Sequence, residues 1–270
     1  MILVTGATGN VGGALVHALA SSGTAVRALV RREVDLPAEL ALGDLNDPDS
    51  VAAALPGVSG VFLLSGYDRM DETLAHIRAA GVSHVVLLSA SAAETGLRDN
   101  AVSAYHLASE EMVKDSGVGW TILRPRTFMV NTRQWIPQVK AGDVVRAAFP
   151  SVRVAAIDPV DIGAVASLAF SGHVGETLAL TGPESLTPGD RVRILGEALG
   201  RDLRFEGLSD EEAWAEMSAS MPEKYAKAFY SFFADGALDE SEVLPTVEQV
   251  LGRPPRTFAQ WCAANADAFR

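Results

Sequence analysis

The chain has 270 residues, 48% of them hydrophobic, and a formal net charge of -12. This excludes a disordered polymer and leaves room for one large domain or two unequal ones. The acidic balance disfavours direct binding to nucleic acid or to an anionic membrane surface, because phosphate contacts need a basic face, and the single cysteine, Cys262, excludes an intrachain disulfide. No Cys/His cluster suggests a metal site, and no apolar run is long enough to span a bilayer. The first residues read as a strand rather than as a basic leader, so a reducing, cytoplasmic setting is the default expectation.

The first element is Met1-Ile2-Leu3-Val4, an apolar run with β-branched residues that reads as a buried parallel strand. Val11 to Ser22 follows with Val11, Leu15, Val16 and Leu19 at helical spacing, ended by Gly23. Gly6, Gly9 and Gly12 therefore sit on a strand-to-helix turn. Gly6 suits the tight turn, Gly9 the approach of a ligand to the backbone, and Gly12 close packing of helix on strand. The free N–H groups at Thr8, Asn10 and Val11 then favour a pyrophosphate. The spacing is Gly-x-x-Gly-x-x-Gly rather than the better-known Gly-x-Gly-x-x-Gly, so the flanking strand and helix carry the assignment.

Ala25 to Val30 is the second strand, and Arg31-Arg32 follows at once. In a dinucleotide fold this strand end faces the adenosine ribose. Two guanidinium groups there suit a 2′-phosphate, hence NADP(H); the plain alternative is a solvated basic pair. Leu40 to Leu45 reads as a third strand and turn. Asp44 and Leu45 sit at its carboxyl end, Asp44 placed either to accept from an adenine amino group or to close the local turn. Asp47 caps a short helix opened by Pro48.

Val58 to Leu64 and His84 to Ser89 are the fourth and fifth strands, with the small residues Ser65-Gly66 and Ser89 at their exits. A helix carrying Leu74 and Ile77 separates them. Ala101 to Ser116 is a helix, Trp120 to Leu123 the sixth strand, Val152 to Ile157 a further strand, and Glu176 to Thr181 the last. Alternation of this kind predicts an α/β fold, a Rossmann-type doubly wound parallel sheet with right-handed crossovers. From Gly182 the texture turns helical, with segments from Thr187 to Leu199, within 209–235 and within 257–269, and a short strand at Leu203 to Phe205. The expected division is a dinucleotide-binding domain of residues 1–124 and 152–181, and a smaller, mainly helical lobe of 125–151 and 182–270.

The stretches Thr5-Gly-Ala-Thr-Gly-Asn-Val-Gly12, Val30-Arg-Arg32, Gly43-Asp-Leu45, Ser116-Gly-Val-Gly-Trp-Thr-Ile-Leu-Arg-Pro125 and Leu180-Thr-Gly-Pro-Glu184 together resemble the NmrA-like atypical short-chain dehydrogenases/reductases. The resemblance spans nearly the whole chain and is nearest to the bacterial NADPH-dependent quinone reductases. It implies hydride transfer from NADP(H) to a quinone or similar conjugated small molecule. It also admits a non-catalytic NADP(H)-sensing regulator acting through a protein partner, since the family contains both. Oligomeric state stays open, a homodimer among the options.

Ordinary short-chain reductases place Tyr-x-x-x-Lys on the helix that ends here near residue 116. The tyrosine protonates the product and the lysine lowers its pKa. Two registers compete. The literal one is Tyr105-His-Leu-Ala-Ser109, with serine in the lysine place. The one anchored on Ser116-Gly117 and Trp120-Thr121 puts His106 at the lysine position and Val102 at the tyrosine position, and matches the resembling quinone reductases. Neither gives an intact dyad. Helical spacing predicts that Ala101, Tyr105, Ala108, Ser109 and Met112 face the sheet, with His106 and Glu110 one turn apart on the flank. Glu110 would then orient His106, or the two would form a surface pair. His106 and Tyr105 are the candidate catalytic residues. Phe128, Asn131 and Trp135, with Tyr67, are the candidate walls of a substrate cleft between sheet edge and lobe; for Trp135, packing of the lobe is an equal alternative.

Overall fold

The computed structural model describes residues 1–270. Its elements in chain order are β1 (Ile2–Val4), α1 (Asn10–Ser21), β2 (Val26–Val30), β3 (Glu39–Leu42), α2 (Pro48–Ala53), β4 (Gly60–Leu64), α3 (Met70–Ala79), β5 (His84–Leu88), α4 (Ala101–Asp115), β6 (Gly119–Pro125), α5 (Ile136–Ala141) and β7 (Val144–Ala147). They continue with α6 (Pro159–Ala169), β8 (Glu176–Leu180), α7 (Pro188–Leu199), β9 (Arg204–Gly207), α8 (Asp210–Ser220), α9 (Glu223–Phe233), α10 (Thr246–Leu251) and α11 (Phe258–Asn265). Short 3₁₀ turns cover Ser91–Thr95, Met129–Trp135 and Ala266–Phe269.

Seven strands form one sheet in the order β3-β2-β1-β4-β5-β6-β8, every pair parallel. Strand residues alternate between two cores, as the period of a pleated strand requires. Ile2, Val4, Phe62 and Val86 pack with Leu15 of α1 and Val165 of α6 on one face. Leu3, Val61, Leu63 and Val85 pack with Val51 of α2, Ile77 of α3 and Val113 of α4 on the other. The order reverses between β1 and β4, so the exits of these two strands frame the crevice where a doubly wound sheet binds ligands.

The smaller lobe has its own core, built from Val139 of α5, Val145 of β7, Val192 and Leu195 of α7, and Phe258 and Trp261 of α11. Three features differ from the expected pattern. Residues 152–157 are not a strand of the sheet: only isolated bridges occur there, Phe128 to Ile157 and Val154 to Leu186. The lobe contains a two-stranded parallel sheet of β7 and β9, of which only the second strand has a clear sequence signal. Within 182–270, α10 returns to the large domain, where Val247 is buried in the same core as α1 and α6. The C-terminal part therefore belongs to both units. No helix is long and apolar enough to cross a membrane.

Candidate active site

The turn after β1 is built for an anion. Gly6 has a φ of 61°, where a side chain would be strained, and a Cβ there would lie 2.7 Å from Leu64 Cδ1. A Cβ on Gly12 would lie 2.2 Å from the Gly6 carbonyl oxygen, so the helix packs against the turn's own backbone rather than against β1. Thr8, Gly9 and Asn10 are exposed. α1 begins at Gly9 with no side-chain cap and no acidic residue in its first turn. Side chains cap α2, α4, α6, α7, α8 and α11, from Asp47, Asn100, Asp158, Thr187, Ser209 and Thr257, whereas α3, α5, α9 and α10 share with α1 the lack of such a cap. The first N–H groups of α1 are left for a ligand, and the dipole favours a negative one.

Beside this turn lies a cavity of about 250 Å³ whose walls include Gly6, Thr8, Arg31, Asp44, Leu45 and Tyr67. Arg31 is part of this wall, whereas exposed Arg32 is not. Asp44 Oδ1 accepts from both the backbone and the side-chain nitrogen of Asn46 at 3.0 Å, the local turn role; these bonds hold its carboxyl below the usual carboxylate range. Tyr67, an expected wall of the substrate cleft, lines this same cavity beside the α1 turn, and burial followed by the Asp44 charge raises its phenol pKa.

The second half of the crevice is built from side chains. α4 turns a different face inward from the expected stripe: Val102, Ser103, His106, Ser109, Glu110 and Val113 are buried, while Tyr105 is half-buried and Ala108 exposed. Polar partners on the sheet decide the rotation. Arg124 at the end of β6 grips Glu110 bidentately, Nε to Oε1 at 2.8 Å and Nη2 to Oε2 at 2.7 Å. The Ser89 hydroxyl, just past β5, donates to Glu110 Oε1 at 2.7 Å. Burial would raise the Glu110 carboxyl, but Arg124 and Ser89 outweigh it and the pKa lies below the usual value. Glu110 therefore does not touch His106 as a flank partner; it is the counter-ion of Arg124.

His106 joins this network through Ser89, whose Oγ lies 3.5 Å from His106 Nδ1, a long contact. The Ser89 proton goes to the carboxylate, so this contact is a hydrogen bond only when Nδ1 is the donor. Burial pushes the imidazole pKa down to about 4, with Glu110 raising it and Arg124 lowering it. At neutral pH His106 is uncharged and so is no stand-in for a lysine cation. Its ring lies 4.2 Å from that of Tyr105, centroid to centroid. Burial and then Tyr225 raise the Tyr105 pKa, so it remains a phenol. Ser109, in the lysine place of the literal register, accepts from Gly66 N at 3.1 Å and donates to Tyr105 O at 2.8 Å. It fixes the loop after β4, while Ser65 Oγ donates to Leu88 O at 2.9 Å.

Of the remaining candidates, Asn131 is exposed and Phe128 half-buried after β6. For Trp135 the structure takes the packing alternative. It is 2% exposed and packs in the lobe core beneath the Arg191 guanidinium, whose Cζ is 5.3 Å from the ring centroid. Its ring is thus withdrawn from the cleft surface. Sequence reasoning missed the roles of Arg124, Thr127 and Glu240. Glu240, 4% exposed, lies on the segment after α9 and receives the hydroxyls of Ser91 and Thr127 and, at 3.1 Å, the Thr127 N–H. No local sequence pattern announces a carboxylate that reaches its partners from more than a hundred residues away.

A family described as NAD(P)H-binding matches residues 6–157, which span both halves of this crevice. The chain belongs to that NmrA-like, atypical short-chain family of NAD(P)H-binding oxidoreductases. It is 40% identical to a (4-alkanoyl-5-oxo-2,5-dihydrofuran-3-yl)methyl phosphate reductase of Streptomyces griseus, over all of this chain and 99% of the relative. It is 34% identical to an NAD(P)H azoreductase of Xenophilus azovorans, again over all of this chain and 99% of the relative. In structure it resembles the NADPH-dependent quinone oxidoreductase of Escherichia coli solved with NADPH, with a TM-score of 0.80, 23% identity and coverage of 98% and 99% of the two chains. The protein is thus an NAD(P)H-dependent oxidoreductase, and the relatives lend no support to the sensor reading.

Proposed function

We propose that this protein reduces a conjugated, electron-poor acceptor, a quinone or an activated enone, with NADPH in the cytoplasm. Bound NADPH supplies a hydride; with one proton from solvent the acceptor gains two hydrogens and NADP⁺ is left. The uncapped α1 turn holds the pyrophosphate, and Arg31 holds the 2′-phosphate. His106 would hydrogen-bond a ribose hydroxyl or the carboxamide at the nicotinamide end.

The observation that carries this reading is the state of the two candidate catalytic side chains. His106 is neutral with a pKa of about 4, and Tyr105 has its pKa raised. No cation replaces the missing lysine beside Tyr105, so the site offers a weak acid and good positioning. A simple ketone needs a strong acid at the developing alkoxide. A conjugated acceptor spreads the incoming electron pair over its own π-system, and positioning supplies much of the acceleration. The substrates named for the two relatives fit this chemistry. An azo group and an oxo-dihydrofuran with an alkanoyl substituent are both electron-poor π-systems.

The test is steady-state NADPH oxidation with a panel of quinones, enones and simple ketones. Turnover confined to the conjugated members is expected. Preferential turnover of an unconjugated ketone, or tight NADPH binding without oxidation by any acceptor, would contradict the reading.

A further inference from the structure

α9 is the most aromatic helix of the chain, and it packs against two bodies at once. Tyr225, Ala228, Phe229 and Phe232 recur at the i, i+3, i+4, i+7 spacing of a single helix face. Tyr230 and Phe233 lie on the adjoining edge, and that edge is occupied. The Phe149 ring, from the loop after β7, lies 6.2 Å from Tyr230 and 5.5 Å from Phe233, centroid to centroid. Trp214 of α8 meets Tyr230 edge-on at 5.5 Å, and Phe233 also packs on the lobe core. This edge ties α9 to the lobe.

The other face meets the crevice. Ala228 and Phe232 are buried in one small cluster with Val102, one turn before His106 on α4, and with Ala92, on the 3₁₀ turn that follows β5. Ala90, the neighbour of Ser89, and Tyr105 pack on the same cluster. Asn100, the cap of α4, donates from Nδ2 to the Ala228 carbonyl at 3.2 Å and so fixes α9 against α4. Tyr105 in turn rests on the loop after β4, where a Cβ on Gly66 would lie 3.1 Å from its Cδ2. α9 therefore closes the crevice beside the exits of β4 and β5, at the turn of α4 that carries His106. Tyr225 and Phe229 pack on this cluster too, yet both stay half-buried. Around one cluster three aromatic side chains thus keep part of their surface uncovered, an apolar area that a ligand can take out of water.

We infer that the Tyr225–Phe229 face of α9 is the wall that selects the acceptor, and that it selects a flat, extended π-system such as a fused-ring quinone. This rests on the conjugated-acceptor reading above. The face of a phenyl or phenol ring carries negative charge density, which complements an electron-poor ring. An aromatic wall also gains with every further ring of the acceptor that it covers. A compact single-ring acceptor offers less of that area, so the wall discriminates by shape among acceptors of equal reactivity.

The test compares two quinones of matched reduction potential, a fused naphthoquinone and a single-ring benzoquinone. In the wild type kcat/KM should favour the fused quinone by on the order of tenfold. Tyr225→Ala and Phe229→Ala should each lower that preference by about threefold, through KM for the fused quinone, and the double variant should bring it near one. The dissociation constant of NADPH should stay as in the wild type. Tyr225→Phe and Phe229→Tyr keep the rings and should keep the preference. Lys227→Ala, on the solvent face of the same helix, should leave it as it is. No preference in the wild type, or one that survives in the double variant, would overturn the inference. An equal loss for both quinones would do the same, since that is what a purely structural role of α9 produces. Should the alanine variants fail to fold, Tyr225→Leu and Phe229→Leu fill the space without a flat face, and an undiminished preference in both rejects the wall. If neither quinone is reduced, the function reading falls while the wall is judged on binding alone. The naphthoquinone is then titrated into the NADP⁺ complex. Saturable binding that the alanine or leucine variants weaken supports the wall; no binding to the wild type, or equal binding to the variants, rejects it.

Discussion

The two ends of the crevice are made by opposite means. At the α1 end the protein withholds side chains: glycines, an uncapped helix and exposed N–H groups leave room for a ligand to complete the structure. At the α4 end it supplies them in excess, with Arg124, Glu110 and Ser89 satisfying one another before any ligand arrives. The first arrangement is a binding surface, the second a rigid frame around one neutral imidazole. Cofactor affinity should therefore depend on backbone space at one end, and stability and ring state on charge at the other.

The sharpest break is at the glycine end. Gly9 has extended backbone geometry that any residue adopts, so Gly9→Val should fold yet occupy the pyrophosphate space. Calorimetry should show NADPH binding abolished with the circular dichroism spectrum preserved; retained tight binding would place the phosphates elsewhere. At the other end the largest loss should be in stability. Glu110 has 2% side-chain exposure, and Glu110→Ala strands Arg124, which should cost about 3–5 kcal/mol in denaturant unfolding. Replacing both residues by methionine should cost less than the single change, because no unpaired charge is left.

The imidazole sharpens the comparison through pH. His106 stays neutral in the folded protein until about pH 4, whereas an unfolded histidine takes up a proton near 6.5. Between these values the unfolded chain binds more protons, so stability falls as pH drops from 6.5 toward 4 and this contribution levels off below it. The contribution is on the order of 3 kcal/mol. Stability curves of His106→Gln should be flatter in that window, and parallel curves would show that the ring is protonated or exposed. The smallest effects separate the two arginines. Arg31→Ala should weaken NADPH by about 1–3 kcal/mol with little change for NADH, and Arg32→Ala by less than about 1 kcal/mol. Equal losses would mean that both reach the 2′-phosphate.

The same contrast explains what was legible in the sequence. The α1 turn was readable because glycine spacing, a preceding apolar run and a following helical period are all local signals. The parallel, doubly wound sheet followed from alternation, and several helix starts from their caps. The face of α4 was misjudged because hydrophobic periodicity scores Glu110 and His106 as surface residues, whereas Arg124, from the next strand, makes their burial affordable. The placement of Tyr67 and the choice between the two readings of Trp135 have a similar origin. An aromatic residue after a strand signals proximity to the sheet edge, but tertiary packing decides which cavity receives it. Residues 152–157 have strand composition, yet the place beside β6 is filled by β8, leaving them only isolated bridges.

The central claim is that hydride transfer proceeds beside a neutral His106 that positions the cofactor and does not donate the proton. It is tested most directly by single-turnover reduction of a quinone with NADPH or its 4-deuterated form, in light and heavy water, across the acidic and neutral range. The account predicts a primary isotope effect from deuterated NADPH, a solvent isotope effect near one, and no ionisation of His106 near neutrality in the profile. A large solvent effect, with an ionisation near neutral pH that disappears in His106→Gln, would contradict it and make His106 the acid.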